Sequence, residues 1–139
     1  MVLKLTSISP PSTTKKDRKK SRILIVDDDP GVTNSFALCL EDSGLFEVRT
    51  FNDGVDAVSN FKSNAYDLVL LDIEMPKVSG LQLYDKIKEL DSKVRICFLS
   101  DVDSGSLKRQ FPSLDVSCVF SKETQIKELI ERIEKELLR

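Results

Sequence analysis

Ile23-Leu24-Ile25-Val26 runs without a break into Asp27-Asp28-Asp29, and Leu68-Val69-Leu70-Leu71 ends in the same way at Asp72. A third run, Ser117-Cys118-Val119-Phe120, leads through Ser121 to Lys122. Apolar runs this short, rich in leucine and β-branched residues, read as strands buried on both faces, as in a parallel sheet covered by helices. On that reading the charged residues all fall at the carboxyl ends of strands. In an open parallel sheet this edge binds ligands, at the point where strand order reverses.

Working outward from these runs, strand and helix alternate five times. Val32, Phe36, Cys39 and Leu40 repeat at helical spacing after Pro30, which predicts a first helix reaching about Ser43 with Gly44 as its stop. Residues 46–51 form a strand with fewer apolar side chains, and so an edge. Asn52-Asp53-Gly54 turns the chain into a second helix with Val55, Val58 and Phe61 facing inward, and a third helix buries Leu83, Ile87 and Leu90. A fourth strand covers residues 94–99. The segment 103–110, with Gly105 inside it and Pro112 beyond, predicts a weak helix and the most mobile element. The last helix puts Ile126, Leu129, Ile130, Ile133 and Leu137 on one face, with Glu128–Arg132 and Glu131–Lys135 as i,i+4 pairs on the other. This alternation predicts an α/β fold, a doubly wound flavodoxin-like sheet of five parallel strands in the order 2-1-3-4-5 with five helices.

Carboxylates gathered at one strand edge repel each other, and their ionised forms are tolerable when they share a cation. The chain has no histidine, and no cysteine lies near these aspartates, so the donor set is oxygen alone and favours a hard ion such as magnesium over zinc. Magnesium usually binds through one or two carboxylates plus a phosphate. A phosphoryl group is then the natural visitor, and Lys122 its positive partner. Asp29, directly before Pro30, reads instead as the cap of the first helix.

The 139 residues, 40% of them hydrophobic, support one domain around one core. The net charge of −2 conceals an uneven distribution: residues 1–22 hold seven basic residues against one acidic, so they carry +6 and leave −8 for residues 23–139. An acidic body of this kind is not a nucleic-acid-binding domain. Residues 1–21, with Pro10-Pro11 and Ser12-Thr13-Thr14 among the basic residues, read as a disordered basic tail, and 22–139 as the domain. No apolar stretch suffices to span a membrane and no secretory hydrophobic region opens the chain, so a cytoplasmic location is expected. Cys39, Cys97 and Cys118 are odd in number, far apart and flanked by apolar residues, as small buried hydrophobes in a reducing compartment would be.

The segment from Ile23 through Asp27-Asp28-Asp29-Pro30 resembles the first strand and acidic pair of the receiver domain of two-component response regulators. Asp67-Leu68-Val69-Leu70-Leu71-Asp72-Ile73-Glu74-Met75-Pro76, followed by Gly80, resembles that family's phosphoacceptor segment. Leu99-Ser100 is similar to its fourth-strand hydroxyl and Lys122 to its fifth-strand lysine, and the likeness spans residues 22–138. The resemblance implies that Asp72 accepts a phosphoryl group, that Asp28 binds magnesium directly, and that Asp27 acts mainly through a bound water. It further implies that the Glu74 backbone carbonyl completes the protein ligands while Ser100 and Lys122 engage the phosphoryl oxygens.

The implied partners are a sensor histidine kinase or phosphotransfer protein as donor and a downstream protein as reader, with a homodimer on phosphorylation as one further outcome. The implied role is that of a stand-alone signalling protein which catalyses only its own phosphorylation and dephosphorylation. Three residues depart from the family pattern: Asp101 follows the hydroxyl where a small residue is usual, Glu123 follows the lysine in place of proline, and Val119 replaces the switch aromatic, with Phe120 one residue later. A one-residue offset in a strand faces the opposite side of the sheet. These departures admit an alternative, a receiver-like docking module without phosphoryl turnover. A second alternative, a haloacid dehalogenase-type phosphatase, rests on Asp72-Ile73-Glu74 but has the acidic pair before the nucleophile, the reverse of that family's order.

Overall fold

The computed structural model describes residues 19–102, 104–110, 112 and 119–138. Its centre is the pair β1 (Ser21–Val26) and β3 (Leu68–Asp72), buried almost throughout because each strand is hydrogen-bonded on both sides and covered on both faces. β2 (Phe46–Phe51) lies outside β1 as one edge, and β4 (Arg95–Ser100) lies between β3 and the other edge, β5 (Val119–Ser121). All pairs are parallel and the order is β2-β1-β3-β4-β5, the expected flavodoxin-like topology. The register sets Val26 beside Leu71, Asp72 beside Leu99 and Ser100 beside Ser121, which draws the carboxyl ends of four strands level.

Side chains alternate between two cores, as the pleat requires. Ile23, Ile25, Leu68, Leu70 and Leu99 face α1 (Pro30–Asp42) and α5 (Ile126–Leu137), where Leu40, Leu129 and Ile133 meet them. Leu24, Val26, Val69, Leu71 and Phe98 face the other way, toward α2 (Gly54–Asn60), α3 (Gly80–Leu90) and α4 (Ser104–Gln110), which contribute Ala57, Leu83, Ile87 and Leu107. Helix starts follow capping chemistry. Asp29 accepts from the Gly31 amide with Pro30 in the first turn, Asp53 accepts from Val55, and Ser79 with Gln82 forms a capping box. α1 is capped at Ser43 and followed by Gly44, whose φ of +80° suits a residue without Cβ.

Several sequence expectations need correction. Val55 is 52% exposed, because the Asp53 cap fixes the phase of α2 so that Gly54 and Ala57 turn inward. Leu90 is 46% exposed; the chain leaves the helix there, and Asp91 turns inward, its carboxylate accepting from the amides of Asn64 and Lys93. Cys39 is exposed, one residue out of phase with Leu40, whereas Cys97 is buried as expected. The fourth strand is shifted by one residue, ending at Ser100 rather than Leu99. Arg132 lies over the Phe120 ring, 4.3 Å from its centroid, and donates to the Val119 carbonyl at 3.3 Å, and among the described residues it makes no ion pair with Glu128.

β1 starts at Ser21, one residue before the expected domain start. Most of the expected tail, Asp103 at the start of the expected fourth helix, and Ser117 and Cys118 lie outside the described residues. Among the described residues no helix is long and apolar enough to cross a membrane.

Gly80 begins α3 directly against the end of β3. Its amide donates to the Ile73 carbonyl at 3.0 Å, and a Cβ there would clash with the Asp72 carbonyl and stand 2.7 Å from Ile73 Cα. Backbone cannot yield as a side-chain tip can. Gly80→Ala is therefore expected to destabilise the domain by about 2–3 kcal/mol, the upper part of the overpacking range, as read from the urea midpoint of unfolding; an unchanged midpoint would contradict this packing.

Candidate functional site

Asp27 leaves the end of β1 with its amide bonded to the Phe51 carbonyl at 3.2 Å, and is fully buried. Its Oδ1 accepts from the Asp29 amide at 2.9 Å. Asp72, the last residue of β3, is 2% exposed, and its Oδ1 accepts from the Glu74 amide at 3.0 Å. Lys122 follows β5, its amide bonded to the Ser100 carbonyl at 3.1 Å, and its side chain reaches back across the sheet edge. The ammonium stands 3.0 Å from Asp27 Oδ2 and 3.2 Å from Asp72 Oδ2. Among the described residues no donor besides this ammonium meets either oxygen, so two buried carboxylate oxygens depend on one shared lysine.

Asp28 completes the cluster from the solvent side. Carboxylate oxygens of Asp27, Asp28 and Asp72 lie within 4.8 Å of one another, close enough to hold one cation together. Two buried oxygens that share one ammonium, an exposed third carboxylate and a cluster of oxygen donors alone fit a hard divalent ion such as magnesium. A cleft of about 190 Å³ opens beside Asp28, lined in part by Asn52, Met75 and Pro76.

The structure thus brings together four of the sequence-derived residues, Asp27, Asp28, Asp72 and Lys122. Glu74 is placed by its backbone against Asp72 while its side chain is exposed. Ser100 is buried at the end of β4, where its Oγ accepts from the Val102 amide at 2.9 Å, the turn role open to any serine at a strand end. Asp29 serves as a cap, as read from Pro30. Asp101 is exposed. After Lys122 there is no cis peptide among the described residues; instead Ser121 closes a turn, its Oγ accepting from Glu123 and its carbonyl from Thr124. Val119 packs on the α3 and α4 side and Phe120 on the α1 and α5 side, as the one-residue offset requires.

Sequence reasoning missed Asn52 and Thr33. The Asn52 amide donates to the Asp27 carbonyl at 2.8 Å and to Thr33 Oγ1 at 2.9 Å. Asn52 reads in sequence only as part of a turn, and no local pattern pairs it with residues 25 and 19 positions earlier.

Charge and burial oppose each other here. Burial raises the Asp72 pKa most, the neighbouring Asp27 carboxylate raises it further, and the Glu74 amide and Lys122 offset only part, leaving it at about 7. For Lys122, burial pulls downward, but the hydrogen bond to Asp27 and the charges of both carboxylates outweigh it, and its pKa is raised.

Residues 23–134 match the response regulator receiver domain. The chain belongs to this family. It is 31% identical over 125 residues to chemotaxis protein CheY of Treponema pallidum, a match that covers 88% of this chain and 87% of that protein. The transcriptional regulatory protein TrcR of Mycobacterium tuberculosis is 33% identical over 94 residues, 68% of this chain but 36% of TrcR, so the chain spans about a third of that relative. Among solved structures, the non-phosphorylated HemR receiver domain from Leptospira biflexa aligns with a TM-score of 0.73 at 26% identity, over 85% of this chain and 94% of the other. The family does not favour the haloacid dehalogenase reading.

The raised Asp72 pKa predicts a pH dependence. Between its ordinary value of 3.8 and about 7 the folded protein binds more protons than the unfolded chain, so wild-type stability falls as pH rises through that window. An asparagine side chain at this position has no charge to bury. In metal-free buffer Asp72→Asn is expected to exceed the wild type by at least about 1 kcal/mol at pH 8, with a ceiling of about 4 kcal/mol for a three-unit shift, and to match it near pH 4. Chemical denaturation at both pH values checks this; a gap that does not change with pH would contradict it.

Proposed function

We propose that the protein is a phosphoacceptor of a two-component phosphorelay, with Asp72 as the nucleophile. A carboxylate oxygen of Asp72 bonds to the phosphorus of a phosphohistidine while the P–N bond breaks; the electron pair stays on the imidazole, which a proton then neutralises. No histidine occurs among the 139 residues, so the donor lies outside them, on a sensor histidine kinase or phosphotransfer protein. The observation that carries this reading is Asp72 itself, buried at the strand edge with Lys122 at 3.2 Å and two further aspartates beside it.

Magnesium, held by Asp27, Asp28, Asp72 and the Glu74 carbonyl, would supply the positive charge that keeps the carboxylates ionised and offsets charge on the phosphoryl oxygens. Lys122 pairs with a phosphoryl oxygen and gives up part of its present contact with Asp72. Ser100 donates its hydroxyl hydrogen to another phosphoryl oxygen. In doing so it perturbs the bond between its Oγ and the Val102 amide, which links the site to the loop before α4. Val119 and Phe120 offer no aromatic on the α4 side of β5, so this loop is the route by which the added charge reaches a downstream protein. The protein then acts in the cytoplasm as a switch whose catalysis is limited to its own phosphorylation and dephosphorylation.

Incubation with acetyl phosphate and magnesium is expected to add one phosphoryl group, seen by intact-mass measurement, that hydroxylamine removes. The label should need magnesium and be absent from Asp72→Asn. Exposed Asp101 beside Ser100 can slow labelling, so beryllofluoride, a small phosphoryl mimic, is tested in parallel by NMR at Ser100 and Lys122. If neither reagent changes the wild-type site, the docking-module reading replaces this one.

A further inference from the structure

Among the three aspartates, Asp28 alone lacks support of its own. Asp27 is held by the Asp29 amide and Lys122, and Asp72 by the Glu74 amide and Lys122. Among the described residues the Asp28 carboxylate takes part in no hydrogen bond or ion pair. Its position is therefore set by its backbone, that is, by the peptide plane joining Asp27 to Asp28. Asn52 grips that plane. Its Nδ2 donates to the Asp27 carbonyl at 2.8 Å and to Thr33 Oγ1 at 2.9 Å, and Thr33, fully buried in α1, donates its own hydroxyl to the Pro30 carbonyl at 3.2 Å. One carboxamide thus ties the loop after β2 to the start of the loop after β1 and to the first turns of α1. The Phe51 carbonyl, one residue earlier, holds the Asp27 amide, so the peptides on both sides of Asp27 are anchored to the same short segment.

We infer that Asn52 is a positioning residue for the metal site, orienting Asp28 through the Asp27–Asp28 peptide without touching the ion. The inference rests on the magnesium reading above and concerns which residue fixes the affinity. With a methyl group at position 52 the plane loses its own anchor and keeps only the bonds of the Asp27 and Asp29 amides on either side, so Asp28 spends part of its time turned away from the other two carboxylates. Partners that orient a ligand in this way typically alter metal affinity about 10–100-fold.

The test is a magnesium titration of the full chain followed by NMR at the Asp28 and Asp29 amides, at a temperature where every variant is folded. Wild type is compared with Asn52→Ala and with Ile133→Val, which lowers stability through the core on the α5 side, away from the site. Asn52→Ser, suited to a turn but too short to reach the carbonyl, replaces Asn52→Ala if the latter does not fold. Asn52→Ala is expected to weaken binding about tenfold, at the low end of that range, with Ile133→Val equal to wild type. Binding by Asn52→Ala within twofold of wild type overturns the positioning role alone, as does equal weakening in Ile133→Val, which would make the effect one of stability. A wild type that shows no magnesium response removes the metal reading and this role with it.

Discussion

One ammonium group holds the functional edge of this sheet together. Asp27 and Asp72 are buried carboxyl groups near each other, and at Asp72 burial and the Asp27 charge both oppose ionisation. Lys122 places its charge about 3 Å from an oxygen of each. The balance is incomplete, since the Asp72 pKa remains raised to about 7. A site that is short of positive charge is one in which a bound cation would stabilise the fold.

The rest of the fold serves that juxtaposition. The buried aliphatic runs Ile23–Val26 and Leu68–Leu71 of the two central strands fix where Asp27 and Asp72 emerge, and the parallel register draws those ends level with Ser100 and Ser121. Gly80 allows α3 to start in contact with the backbone of Asp72 and Ile73. Lys122 arrives from the edge strand β5, three residues long, which is steadied from α5 by Arg132 over Phe120 and on the Val119 carbonyl. The β5 aromatic Phe120 packs on the α5 side, and among the described residues the Ser100 hydroxyl links the site to Val102, just before α4.

The strand ends and the charged cluster were legible in the sequence because charge following an uninterrupted apolar run is a local signal. So was the sheet order, since strict alternation leaves few topologies. The one-residue offset of Phe120 also read correctly, because the pleat has a period of two and a shift by one changes face. Helix faces were less legible. Val55, Leu90 and Cys39 are apolar residues near a buried stripe, but the phase of a short helix is set by its cap and by where the chain leaves it, as Asp53 and Asp91 show. Asn52 and Thr33 were not legible as site residues at all. Their bonds join loops brought together only by β-sheet pairing, and neither residue type announces such a contact.

Burial and Asp27 hold Asp72 short of full ionisation, and a bound cation would relieve this. Carbon-13 NMR titration of the Asp72 carboxyl group reads it directly. In metal-free protein the midpoint should fall at about 7, and added magnesium should move it down toward the ordinary value of 3.8. A metal-free midpoint already in the ordinary carboxylate range, unmoved by magnesium, would contradict the account.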